Sequence, residues 1–325
     1  MPSLSAAAFR ASVRDRLKTE AKKCGRPVKE LQREFVLQRF LSRVFAAADS
    51  QWVLRGGTGL LIRLPGARYS QDLDLLHPSE NLEAAIEELK ELSRGPGGDS
   101  FSFVVGDPVR MSGGVAGVKV KVDTYLGTTL YCTFPIDLST ELPFVAQVER
   151  RRPRPVLEVP GVDPLPEFTL YPLPDQVADK VCAMYERHGP TATPSSRFRD
   201  LVDLVLIVSN FELDAAQTIR ALTAESRRRD LLLPARLETP DPTWLDGYRA
   251  AARDTSLLSE LHELPAALLA ALQGHVSTPF WPGRSPPEYG SPRNVGGGAR
   301  FGLPTFDLKS GPLMGSGAVS LSICR

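Results

Sequence analysis

Residues 52–76 read Trp52-Val53-Leu54-Arg55-Gly56-Gly57-Thr58-Gly59-Leu60-Leu61-Ile62-Arg63-Leu64, then Pro65-Gly66-Ala67, then Arg68-Tyr69-Ser70-Gln71-Asp72-Leu73-Asp74-Leu75-Leu76. The apolar stretch Gln51–Leu54 predicts a short strand, Gly56-Gly57-Thr58 a tight turn, and Leu60-Leu61-Ile62 the start of a short helix. Ser70–Leu76 predicts a second strand, on which Asp72 and Asp74, two residues apart, share a face. Two glycines let a backbone come close to a polyphosphate, leaving amide groups and the Thr58 hydroxyl to hold its oxygens. Two carboxylates on one strand face suit Mg²⁺, a hard cation that shares its oxygen ligands with substrate phosphates.

Working outward, Ala6 to about Cys24 and Val28 to about Ala47 repeat apolar residues at helical spacing, and Gly25-Arg26-Pro27 supplies the break between two amphipathic helices. Downstream, a helix is expected from Leu82 to about Leu92, then strands at Phe101–Val105, Gly117–Tyr125 and Thr129–Leu138. A third carboxylate from a neighbouring strand would complete a metal site. Asp137 is preferred because it closes the sheet, and Asp123 is the competing residue. A Pro-rich connector at 152–174 leads to helices at about 176–188, 197–210, 213–227, 244–253 and 257–272. The expected divisions are N-terminal helices at 1–50, a catalytic core at 51–151, the connector, a helical domain at 175–275, and a disordered tail at 276–325. That tail holds nine Gly and seven Pro without apolar periodicity.

Composition narrows the class. The 325 residues include 42% hydrophobic and 24% charged positions, enough for one large or two modest domains with a buried core. No apolar run reaches the ~18 residues of a membrane span and no signal-peptide stretch opens the chain, so a cytoplasmic protein is expected. The four cysteines, Cys24, Cys132, Cys182 and Cys324, are too scattered for a C-x-x-C pair and read as reduced thiols. Net charge is +1, but the first fifty residues carry eleven Lys/Arg against five Asp/Glu. Basic clusters also stand at Arg150, Arg151, Arg152 and Arg154, and at Arg227, Arg228 and Arg229. Such runs are most often solvated surface, and they also suit RNA phosphates. The absence of G-x-x-x-x-G-K-[ST] excludes a P-loop, and Gly-Gly-Thr-Gly lacks the third glycine of a dinucleotide fingerprint.

Four motifs together resemble the AbiEii/AbiGii toxin family of nucleotidyltransferases, MenT-like enzymes of the DNA polymerase β superfamily. VLRGGTGLLIRL resembles its Lys-Gly-Gly-Thr/Ser signature. RYSQDLDLL resembles R-x-S-x-D-x-D, with Arg68, Ser70, Asp72 and Asp74 in place. PDQVADKVCAMYER resembles a helical lysine motif at Lys180, and RFRDLVDL resembles R-x-K-D-x-x-D-L, with Arg197, Asp200 and Asp203. Arg55 and Arg199 stand where lysines are usual, keeping charge without a lysine's proton chemistry. The likeness runs from about Leu31 to Leu204 and more loosely to Trp281, beyond which truncation is expected to be tolerated.

The resemblance implies an α/β (α+β) fold with a polymerase-β-like mixed sheet, N-terminal helices and a C-terminal helical domain. It implies transfer of a nucleoside monophosphate from an NTP to an acceptor hydroxyl, with Mg²⁺ in a two-metal site as cofactor. Gly56, Gly57, Thr58, Arg68, Ser70 and Arg197 would bind the NTP phosphates, and Asp72, Asp74 and Asp137 the metals. Lys180 would contact the triphosphate and Asp200 would orient Lys180 or the incoming nucleotide, both as catalytic residues with Asp72 and Asp74. The implied acceptor is RNA, with tRNA foremost, and the implied partner a cognate antitoxin. A small-molecule or protein acceptor, and a silent nucleotide-binding relative, remain the alternative readings. His77 and His188 carry no assignment, since such chemistry requires no histidine.

Overall fold

The computed structural model describes residues 5–79, 81–110, 117–140, 143–234, 237 and 239–253. Two helices open the chain, α1 (Ala6–Cys24) and α2 (Val28–Val44). Ser5 caps the first, accepting from the Ala8 amide at 3.3 Å, and Gly25 ends it in the left-handed region at φ 69°. Then come β1 (Val53–Arg55), α3 (Gly56–Arg63), β2 (Leu73–His77), α4 (Leu82–Ser93), β3 (Phe101–Arg110), β4 (Gly117–Leu126), β5 (Thr129–Thr140), β6 (Glu149–Arg151) and β7 (Phe168–Leu170). Helices α5 (Leu173–Tyr185), α6 (Phe198–Asn210), α7 (Ala215–Arg228) and α8 (Thr243–Ala252) follow.

The seven strands form one mixed sheet in the order β3-β4-β5-β2-β1-β7-β6. Strand β2 runs antiparallel to β1 and parallel to β5, and β1 runs parallel to β7. Alternation sorts the sheet's two faces. Leu54, Leu73, Leu75, Val120, Val122, Ile136 and Leu138 enter one core with α1, α2 and α4, where the Phe40 ring meets Phe103 and Phe134 edge-on at 5.2 and 5.3 Å. The Arg39 and Arg43 guanidinium groups both grip the buried carboxylate of Asp99 from α2, at 2.7 and 2.8 Å. A second core joins Leu60 and Leu61 of α3 to α5, α6, α7 and α8 around Trp244 and Tyr248.

Four expectations change. The Gly-Gly-Thr stretch is the first turn of α3 rather than a separate turn. The strand expected from Ser70 enters the ladder only at Leu73, because the Asp72 carbonyl is taken by Thr58 Oγ1 at 2.9 Å. Strand β3 runs past Val105 through a bulge to Arg110. The 152–174 segment is more than a connector, since its β7 adds to the sheet through Leu54↔Leu170, a three-residue strand too short for periodicity to reveal. The helix expected at 257–272, the tail at 276–325 and the Trp281 truncation point lie outside the described residues. Among the described residues, Cys24, Cys132 and Cys182 are free thiols and no helix is long and apolar enough to cross a membrane.

Candidate active site

The ladder brings the predicted carboxylates together. Asp74 lies opposite Arg55 on β1 and opposite Asp137 on β5. Since Leu73 and Leu75 take the face of the N-terminal core, Asp72 and Asp74 project to the other, where the α3 turn sits. Gly56 adopts φ +63°, and a Cβ there would overlap the Asp74 carboxylate. Gly57 is tight too, with room for a Cβ only 3.0 Å from Ser70 Oγ. Gly56 is therefore required by how closely the turn approaches β2, whereas a side chain at Gly57 would ask Ser70 and Arg68 to move by a few tenths of an ångström. Burial and the neighbouring Asp72 charge, helped by Asp137 and opposed by Arg55 and Lys180, push the Asp74 carboxyl up to about 6.

Asp137 meets Lys119 Nζ at 3.0 Å. Its competitor Asp123 is four residues away in the ladder, opposite Thr133, whose hydroxyl it accepts at 2.5 Å. The structure thus places Asp137, not Asp123, beside Asp74.

Thr58, Ser70 and Arg68 direct their donors to partners within the protein. The Thr58 hydroxyl donates to the Asp72 carbonyl, and Ser70 Oγ donates to Asp72 Oδ1 at 2.9 Å, fixing that carboxylate's orientation. Arg68 forks onto Asp203, with Nε and Nη2 each 2.7 Å from its oxygens. Lys180 Nζ donates to Asp203 Oδ2 at 2.7 Å and to Asp200 Oδ1 at 2.8 Å. Arg197 Nε reaches the other Asp200 oxygen at 2.6 Å. Although burial works against the Lys180 charge, Asp200 and Asp203 outweigh it and hold the ammonium well above the usual lysine range. Burial likewise acts to raise the Asp200 carboxyl, but Lys180 and Arg197 hold it below the usual carboxylate range. Arg199 is exposed to solvent.

Asp203 is named in the fourth motif without a role of its own, and Gln176 is not singled out from the sequence at all. Asp203 is fully buried and bridges Lys180 to Arg68, which joins the helical half to the loop before β2. Gln176, also buried, donates from Nε2 to the Gly56 carbonyl at 3.1 Å. The available signal for Gln176 is its place one helical turn before Lys180. Arg55 stands over the Tyr171 ring at 4.8 Å, donates to Ser139 Oγ at 3.2 Å and pairs with Asp179 at 3.6 Å. The basic triplet at 227–229 is partly internal, since Arg229 pairs with Glu186 and Glu225 at 2.6 Å and with Asp179. His77 closes β2 against Trp52, 4.7 Å between ring centroids, with Glu88 at 3.3 Å, where its role is packing.

The profile of the nucleotidyltransferase AbiEii toxin family, of type IV toxin–antitoxin systems, matches residues 39–271. The chain belongs to the AbiEii family. It is a nucleotidyltransferase toxin, and its matched region holds every carboxylate and cation of the site just described. Among solved structures, this AbiEii chain is similar to the MenT4 nucleotidyltransferase toxin of Mycobacterium tuberculosis, at 18% identity over 85% of this chain and 100% of that one, TM-score 0.47. It is also similar to JHP933 of Helicobacter pylori, at 16% identity over 76% of this chain and 91% of that one, TM-score 0.43. The assignment rests on the family profile and not on these distant likenesses. No curated protein matches the chain.

AbiEii nucleotidyltransferases generally work with a divalent metal. The donor set here fits one: hard oxygens from Asp72, Asp74 and Asp137, with Asp74 crowded by like charge that a cation would relieve. Among the described residues no three such side chains already converge as a closed cage. An ion held by one or two carboxylates and completed by substrate phosphates is the arrangement Mg²⁺ favours.

Proposed function

We propose that this AbiEii toxin transfers a nucleoside monophosphate from an NTP to a hydroxyl of RNA, the 3′ end of tRNA foremost, in the cytoplasm, and so blocks translation until its cognate antitoxin intervenes. The observation that carries the reading is the contact of the Gly56 backbone with Asp74, which puts a glycine turn and three carboxylates on one patch of sheet.

In this reading the first-turn amides of α3, which have no intrahelical acceptors, hold the phosphate oxygens at Gly56 and Gly57. Gln176 fixes the turn by holding the Gly56 carbonyl. Asp72, oriented by Ser70, with Asp74 and Asp137 would hold Mg²⁺, which would lower the acceptor hydroxyl's pKa and offset charge on the leaving pyrophosphate. The acceptor oxygen bonds to the α-phosphorus as the bond to the β-phosphate oxygen breaks, and the hydroxyl proton passes to a carboxylate. Lys180, oriented by Asp200 and Asp203 with one donor remaining, faces the pyrophosphate side. Thr58 and Arg68 support the carboxylates and the helical half instead of gripping phosphate.

The test is to incubate the protein with total tRNA, Mg²⁺ and each α-labelled NTP in turn, beside an Asp72→Ala/Asp74→Ala control. Label entering RNA from one NTP, and absent from the control, is the expected result. A folded protein that labels no RNA with any NTP would remove the RNA acceptor and bring small-molecule or protein acceptors forward.

A further inference from the structure

The sheet face that carries Asp74 and Asp137 continues onto β4 and β3 and faces solvent there. In the β4–β5 register Lys119 lies opposite Asp137, Lys121 opposite Pro135 and Asp123 opposite Thr133. The intervening Val118, Val120 and Val122 are buried in the N-terminal core, so the lysines lie on the carboxylate face. Lys119 pairs with Asp137 and Lys121 with Asp123, at 3.0 and 3.2 Å. The partners are unequally exposed. The lysine side chains are 50% and 67% accessible against 21% and 25% for their aspartates, so the ammonium groups stand outside the carboxylates. Beyond them Val104 and Val109 of β3 are 54% and 67% exposed.

This face is open and extended, which does not suit a small acceptor that must be enclosed to be recognised. Strand addition at its β3 edge is blocked by Pro108, which has no amide to donate, and by the bulge beside it. An exposed Lys–Asp pair contributes little stability, so exchanging the aspartate for a phosphate oxygen costs little. Two lysines two residues apart on a strand are spaced about 7 Å, which offers two point charges along β4, the first of them beside Asp137.

We propose that the β3–β4–β5 face is the acceptor platform, on which Lys119 and Lys121 hold backbone phosphates of an RNA strand and direct its terminal hydroxyl toward Asp137. This inference rests on the RNA-acceptor reading above. The apolar Val104 and Val109 offer a surface for the bases, and the lysines register the backbone without reading its sequence.

The test titrates a fluorescent RNA hairpin with an unpaired 3′ end by anisotropy, across a series of salt concentrations. It uses the intact chain, Lys119→Gln, Lys121→Gln, the double variant, and Lys90→Gln on α4 as a control from the other side of the sheet. Binding of Mg²⁺ and NTP is followed in parallel by calorimetry. The double variant is expected to lose about tenfold in RNA affinity, with its log–log salt slope reduced by about one per lysine. Lys90→Gln is expected to match the wild type, and Lys121→Arg to restore binding. RNA affinity and slope unchanged in the double variant would overturn the platform, as would a wild type that binds NTP and no RNA. If the double variant keeps RNA and loses a co-expressed antitoxin, the face is a protein-docking surface and the platform falls. A wild type that binds RNA through these lysines but never NTP keeps the platform and refutes the transfer reading instead.

Discussion

At the scale of single residues, Gly56 has the least freedom to change. Alanine there would meet the Asp74 carboxylate and would occupy a left-handed backbone that costs an L-residue about 1–2 kcal/mol. Gly56→Ala is expected to fold with a lowered melting temperature and to lose nucleotide transfer, and a variant that transfers at wild-type rate would contradict the packing described. Asp203 comes next. It is buried between Lys180 and Arg68, so Asp203→Asn leaves two cations short of a counter-charge and is expected to cost about 3–5 kcal/mol in denaturant unfolding. Asp200→Asn, whose partner Arg197 is half exposed, is expected to cost less stability while still impairing transfer. The sequence offered Asp72, Asp74, Lys180 and Asp200 through their motifs. It offered no distinction between a donor aimed at substrate and one aimed at a carboxylate. Thr58, Ser70 and Arg68 sit in the motifs but hold Asp72 and Asp203, because their partners arrive from 14, 2 and 135 residues away.

At the scale of elements, α7 is held to α5 by charge as well as by packing. Glu225 accepts from Arg228 and Arg229, and Arg229 also pairs with Asp179 and Glu186 of the α5 region. Burial alone would raise the Glu225 carboxyl, but the two arginines outweigh it and bring it down to about 2 from an ordinary 4.5. A carboxyl depressed in the folded state stabilises the fold fully above its unfolded value, and that contribution is lost as pH falls through the folded one. Thermal unfolding between pH 7 and pH 2.5 is therefore expected to show stability lost below about pH 4.5. Arg229→Met should lower stability at neutral pH and flatten the acid limb, and an unchanged pH profile would show that this cluster does not hold the helices. Helix α1 and the start of α2 were legible from apolar spacing and Gly25-Arg26-Pro27, since these are local signals. Strand β7 was not, because three residues have no period and their ladder partner is Leu54, more than a hundred positions earlier.

At the scale of the whole molecule, two cores meet at the Gly56-Gly57 turn. The sheet and its N-terminal helices form one, and α3 with α5, α6, α7 and α8 forms the other. The Arg68–Asp203 fork ties the loop before β2 to α6, and Gly56, held from α5 by Gln176, packs on Asp74 of β2, so the turn is positioned by both. Because Ser70 and Lys119 already hold Asp72 and Asp137 within the protein, metal is not expected to hold the fold together. Chelation with EDTA should abolish nucleotide transfer and leave the circular dichroism and melting temperature within error of the untreated protein. A large drop in melting temperature would instead make the ion structural.

The sequence by itself determined the family, the helical and strand character of most elements, and the Asp-Leu-Asp pair on one strand face, because each depends on residue types at short spacing. Only the tertiary structure decided that Asp137 and not Asp123 joins that pair, that Asp203 is the buried bridge between the halves, and that the glycine turn presses on Asp74. Those choices depend on strand register and on contacts between distant segments. Shifting β5 by four residues would keep every local pattern and put Thr133, which has no carboxylate, opposite Asp74.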